Sequence, residues 1–159
     1  MQKFREEYVL KKEQQKLIIV DDNASHLSIV RVLLKSVYEV YPVSSAYKLF
    51  DLLEQFIPDL ILLDVNMPEM NGFETIVILK ENIRYKEIPV VFLTAKDDET
   101  SAMRGIDLGA IDYITKPYTG PLLIRRISNI LLMEQQKREL QEKDTVIDNL
   151  QDQLEQLKK

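Results

Sequence analysis

The chain contains no cysteine. Disulfides, thiolate nucleophiles and cysteine-ligated zinc are therefore excluded. Histidine occurs once, at His26, which argues against a histidine-rich metal site or a histidine-based triad. No apolar run approaches the ~18 residues of a membrane span. The N-terminal stretch MQKFREEYVLKKEQQK lacks the apolar core of a signal peptide. Basic charge is also short: the net charge is −5, which gives no support for a nucleic-acid or anionic-membrane partner. A cytoplasmic protein without direct nucleic-acid or membrane contact is expected.

What is present fits one ordinary domain with an appendage. The 159 residues are 45% hydrophobic and 30% charged, a globular balance. Residues 1–15 are polar and helix-friendly and read as a short leading helix or frayed extension. LIIV (17–20) then begins an alternation of strands and helices. The region around Leu27, Val30, Leu33 and Leu34 has helical spacing, with Asn23 or Ser25 as a plausible cap. EVYPVSS (39–45) reads as a strand whose Pro42 suggests an edge. AYKLFDLLEQF (46–56) reads as an amphipathic helix stopping before Pro58. DLILLD (59–64), FETIVILKEN (73–82), PVVFLTA (89–95), ETSAMRGIDLGA (99–110) and IDYIT (111–115) continue the series, and a last helix starts near Pro121. Short, continuously apolar strands alternating with helices predict a doubly wound α/β fold, a five-stranded parallel sheet covered on both faces. Such sheets bind ligands beyond the carboxyl ends of their strands.

The residues at those ends form a short set: Asp21 and Asp22 after the first strand, Asp64 after the third, Thr94 after the fourth and Lys116 after the fifth. Neighbouring strands lie about 4.8 Å apart, so these tips converge within a few side-chain lengths. Three crowded carboxylates repel, and a hard divalent cation such as Mg²⁺, with its preference for oxygen ligands, is the natural counter-charge. Lys116 adds a positive point charge and Thr94 a hydroxyl. The set suits a phosphoryl group. Asp64 is the best candidate nucleophile, forming an acyl phosphate, while Asp21 and Asp22 fit better as metal holders.

Taken in order, the acidic pair Asp21-Asp22, the D-x-x-M-P-x-M-x-G run from Asp64 to Gly72, Thr94-Ala95 and Lys116-Pro117 resemble the receiver domain of two-component response regulators. The resemblance covers about residues 16–132. It implies the flavodoxin-like strand order 2-1-3-4-5, with Asp64 as phosphoacceptor and Asp21, Asp22, Asp64 and the backbone carbonyl of Asn66 around Mg²⁺. It further implies that Thr94 and Lys116 contact the phosphoryl group, and that Tyr113 is the aromatic that turns from exposed to buried as Thr94 moves. The Lys116-Pro117 bond is expected to be cis. Asn66 and Lys96, each two residues past a site residue, fall where receivers tune the lifetime of the acyl phosphate. The implied donor is a histidine kinase or histidine phosphotransfer protein, and the domain catalyses its own phosphorylation and dephosphorylation rather than turning over a separate substrate. His26 is read as a surface residue of the first helix, with the site rim as the second reading.

Beyond Leu132 the composition changes, and neither glycine nor proline occurs again. Met133, Leu140, Ile147 and Leu154 fall seven apart, with Leu150 and Leu157 at the companion position three residues on. That is a heptad seam, and Ile and Leu at its distal end favour two strands. Gln136 and Lys143 occupy the same companion position upstream, so the proximal half is expected to be looser. Acids outnumber bases in this tail, which disfavours a DNA-reading basic region. Residues 133–159 thus read as a dimerising signalling helix that relays a change in the fourth helix, fifth strand and fifth helix to a homodimer or an output module or effector. Two other readings stay open. A structural dimerisation module with a silent receiver would have Lys116 merely paired with Asp64. A haloacid-dehalogenase-like phosphatase also uses an Asp after a strand with Mg²⁺, but usually has a second Asp where this chain has Asn66.

Overall fold

The computed structural model describes residues 13–95 and 99–159. Most of the expected N-terminal extension, and Lys96, lie outside the described residues. Among the described residues, five strands alternate with five helices: β1 (Lys16–Val20), α1 (Ala24–Leu34), β2 (Glu39–Val43), α2 (Ala46–Leu53), β3 (Leu60–Asp64), α3 (Gly72–Glu81), β4 (Val90–Thr94), α4 (Glu99–Asp107), β5 (Asp112–Thr115) and α5 (Gly120–Leu157). The sheet is parallel throughout, in the order β2-β1-β3-β4-β5. This is the flavodoxin-like order expected from the sequence.

Burial explains the order. Every residue of β3 and β4 is buried, as are Leu17 to Val20 of β1. These three strands form the interior of the sheet, where both faces are covered. Sequestering each Leu, Ile or Val there contributes roughly 1.5–3 kcal/mol. Strand β2 takes one edge, where Pro42 pairs in register with Ile19 and stays exposed. A proline lacks the N–H that an interior strand would need on both sides.

Local chemistry sets the helix ends. Asn23 caps α1, its side chain accepting from the amide of His26, and Ser45 caps α2 by accepting from Lys48. Asn71 and Glu74 form a reciprocal capping box on α3, which satisfies two orphan amides at once. The second helix is shorter than its pattern suggests. It ends at Leu53, while Phe56 leaves the helix to pack against Tyr41, the two rings tilted by 48° with centroids 4.7 Å apart. Gly109 at φ +113° terminates the turn after α4, a conformation in which a Cβ is strained.

By internal packing the chain divides into two compact units, one ending at Ile124 and the other comprising Arg125–Lys159. The second unit is helical to Leu157, and its Met133, Leu140, Ile147, Leu150, Leu154 and Leu157 are all exposed. No described helix is long and apolar enough to cross a membrane.

Candidate phosphoacceptor site

Strands β1 and β3 are neighbours and end level with each other, Val20 pairing with Leu63. The next residue on each is an aspartate. Asp21, Asp22 and Asp64 therefore meet, and each offers an oxygen within 4.8 Å of the others. Asp21 and Asp64 are buried, whereas Asp22 is exposed. Strand β4 ends alongside on Thr94, and β5 on Thr115, followed by Lys116. The Lys116 amide donates to the Thr94 carbonyl at 2.8 Å, which ties the lysine to the end of β4. The Lys116-Pro117 bond is cis, as expected.

The ammonium of Lys116 stands 3.9 Å from Asp64 Oδ1 and 3.5 Å from Asp21 Oδ2. It compensates the acids only in part. Burial and then the Asp21 charge push the Asp64 carboxyl up to about 6, against the opposing pull of Lys116. A buried carboxylate held this far from its usual range lacks sufficient positive charge around it. Thr94 adds a second unmet demand: its Oγ1 is buried and has no hydrogen-bond partner among the described residues. Orphaned hydroxyls of this kind cost free energy unless a ligand or partner meets them. The all-oxygen donor set, short of positive charge, fits a hard divalent cation such as Mg²⁺.

Two neighbours of the acids carry weaker sequence signals. His26, read from the pattern as a surface residue, has Nδ1 at 3.2 Å from both Asp21 Oδ2 and Lys116 Nζ. It belongs to the site. Only its place five residues after Asp21, one turn into α1, hints at this. Tyr118 is half-buried, and burial together with the charges of Asp21 and Asp64 pushes its hydroxyl up to about 12. Its only sequence signal is that it follows Lys116-Pro117. The other expected residues sit further out. Tyr113, on β5, is half-buried and packs against the main core cluster. Asn66 is exposed in the loop after β3. That loop turns through Glu69, a non-glycine residue at φ +67°, before α3 begins.

Comparison with known proteins follows the same residues. The family model of the response regulator receiver domain matches residues 17–128. The probable cyclic di-GMP phosphodiesterase of Vibrio cholerae serotype O1 is 37% identical over 121 residues, 76% of this chain but 27% of that relative. Histidine kinase P4 of Formosa agariphila is 35% identical over 126 residues, 79% of this chain and 9% of the relative. The chain thus spans about a quarter or less of these curated relatives. The signal receiver domain of a signal transduction histidine kinase from Syntrophus aciditrophicus superposes with a TM-score of 0.67 at 30% identity, covering 74% of this chain and 89% of that one. With the family model extending from β1 into the last helix, the chain belongs to the response regulator receiver domain family.

Proposed function

We propose that the chain is a phosphorylation-dependent signalling switch whose phosphoacceptor is Asp64. The observation that carries this reading is the convergence of three carboxylates within 4.8 Å beside Lys116. The donor is the phosphohistidine of a histidine kinase or phosphotransfer protein, or a small phosphodonor. A carboxylate oxygen of Asp64 attacks phosphorus, the bond from phosphorus to the donor nitrogen breaks, and its electron pair returns to the imidazole. Asp21, Asp22, Asp64 and the carbonyl of Asn66 would hold Mg²⁺, which supplies positive charge to the phosphoryl oxygens when bound. Lys116 gives a second cation to those oxygens, and Thr94 directs its unpartnered hydroxyl to one of them. In dephosphorylation, water attacks phosphorus, the bond from phosphorus to the Asp64 oxygen breaks, its electron pair returns to the carboxylate, and the protons of water pass to the released phosphate and solvent, with Asn66 and Lys96 tuning the rate.

The inward pull on Thr94 is relayed through Tyr113 to the surface formed by α4, β5 and α5. The exposed heptad residues Met133, Leu140, Ile147, Leu150, Leu154 and Leu157 support a homodimeric coiled coil as the receiving element. A downstream output module or effector then reads the change. Incubation with phosphoramidate and Mg²⁺, followed by intact mass spectrometry, tests the first step. One phosphoryl group is expected on the native chain and none on Asp64→Asn. A native chain that gains no mass and binds no beryllofluoride would favour the silent dimerisation module instead.

A further inference from the structure

We propose that His26 is a positioning residue that holds Lys116 closer to Asp21 than to Asp64 until a phosphoryl group draws the ammonium across. The role assigned to Lys116 rests on the receiver reading; the geometry stands by itself. Three atoms form a nearly equilateral triangle: His26 Nδ1 lies 3.2 Å from Asp21 Oδ2 and 3.2 Å from Lys116 Nζ, and those two lie 3.5 Å apart. Asp64 is the more distant acid for Lys116, at 3.9 Å.

The hydrogen-bonding capacities of the three groups decide how the triangle is satisfied. Asp21 is an acceptor only, and its Oδ1 already accepts from the Asn23 amide at 2.9 Å. Neutral imidazole carries one N–H in total, so Nδ1 is either a donor or an acceptor, never both. Lys116, with three N–H groups, is the member of the triangle able to donate twice. The triangle closes when Lys116 donates to both Asp21 Oδ2 and a bare Nδ1, placing a cation between two acceptors. The His26 backbone is fixed for this purpose, since its amide donates to the capping Asn23 side chain at 3.1 Å.

Removing the ammonium from the triangle leaves Nδ1 facing Asp21 Oδ2, two acceptors with no proton between them. The imidazole resolves this by moving its proton from Nε2 to Nδ1, which then donates to Asp21. The tautomer of His26 therefore reports where Lys116 is. Asp21 keeps a donor when the lysine leaves for the phosphoryl group, and until then Asp64 has the ammonium only at 3.9 Å.

Because the chain has a single histidine, nitrogen-isotope labelling of histidine gives one imidazole spectrum from the full chain. In metal-free, mildly alkaline buffer, Nδ1 is expected as the bare nitrogen, and Lys116→Met is expected to convert it to Nδ1–H. Beryllofluoride with Mg²⁺ is expected to do the same to the native chain. An Nδ1–H signal already present in the native metal-free chain, or one that Lys116→Met leaves unmoved, would overturn the proposal. Calorimetry supplies a second readout. His26→Leu frees Lys116 to close further on Asp64 and compete with the cation, so Mg²⁺ affinity is expected to fall about fivefold, the worth of one hydrogen bond. His26→Asn is expected to restore it, because its amide oxygen stands where Nδ1 does. Unchanged affinity in His26→Leu would count against the proposal. Absence of phosphoryl mass on Asp64 would strike the receiver reading alone, since the metal-free tautomer is read without phosphorylation.

Discussion

A β-carbon on Gly72 would stand 2.4 Å from the carbonyl oxygen of Asp64. Helix α3 thus begins pressed against the backbone that carries the candidate phosphoacceptor, and its Gly72 amide donates to the Val65 carbonyl at 2.8 Å. The same β-carbon would meet the Phe92 ring at 2.9 Å and the Val65 α-carbon at 3.0 Å. Neither backbone atom can rotate aside, so the junction between β3 and α3 must open. Gly72→Ala is expected to cost about 1–3 kcal/mol of stability by overpacking, measured by urea denaturation, and to slow phosphorylation by displacing Asp64. A variant as stable as the native chain would show that the junction is looser than this packing implies.

Asp64 gives a pH dependence with a definite sign. Its carboxyl lies at 3.8 in the unfolded chain and is pushed up to about 6 in the fold. The folded state therefore binds the proton more tightly than the unfolded state does. Below about 4 Asp64 costs nothing. As pH rises towards 6 and beyond, the metal-free fold loses stability by an amount on the order of 1–2 kcal/mol, after allowance for solvent screening. Asp64→Asn removes this loss. In metal-free buffer the variant is expected to be more stable at neutral pH, with the difference closing as pH falls through that window. A difference independent of pH would assign the gain to something other than the charge.

Much of this arrangement was legible in the sequence, for a physical reason. Interior parallel strands are apolar on both faces, so the runs ending at Asp64 and Thr94 marked both the sheet and its functional edge. Pro42 likewise marked an edge strand because it lacks a donor. Pattern alone is weaker at helix ends. Apolar spacing carries on through Phe56, but that ring is held by Tyr41 across the sheet edge, not by a helical turn. The pattern places FETIVILKEN on a helix but does not bring out the capping box that Asn71 and Glu74 form at its start. His26 was the least legible. Its contact with Lys116 joins residues 90 apart, and only the fold brings such positions together.

Thr94 separates stability from signalling. Its hydroxyl is buried with no hydrogen-bond partner among the described residues, and an unmet buried hydroxyl costs about 1–3 kcal/mol. Thr94→Val keeps the branched shape that suits a strand and deletes the hydroxyl. The variant is therefore expected to unfold at higher urea concentration while losing the response to phosphorylation. Destabilisation would mean that the hydroxyl is satisfied in solution.

Glu69 holds φ at +67°, in the left-handed region that costs a side chain about 1–2 kcal/mol. Asn tolerates this region better because its short amide bonds to nearby backbone. Glu69→Asn is expected to raise the melting temperature by a few degrees, equivalent to about 0.5–1 kcal/mol. The residue is exposed, so a fall in melting temperature would point to an interaction of the Glu69 carboxylate rather than to its backbone.

The heptad seam offers the sharpest test of the tail. Leu150 and Leu154 are both more than half exposed, and burying such residues against a second copy contributes roughly 1.5–3 kcal/mol each. Replacing both with Gln is expected to convert a dimer to a monomer in sedimentation equilibrium. Lys143 occupies the companion position one heptad before Leu150, where an ammonium in the seam weakens pairing. Lys143→Leu is therefore expected to tighten the dimer. A chain that stays equally dimeric in both variants pairs through some other surface.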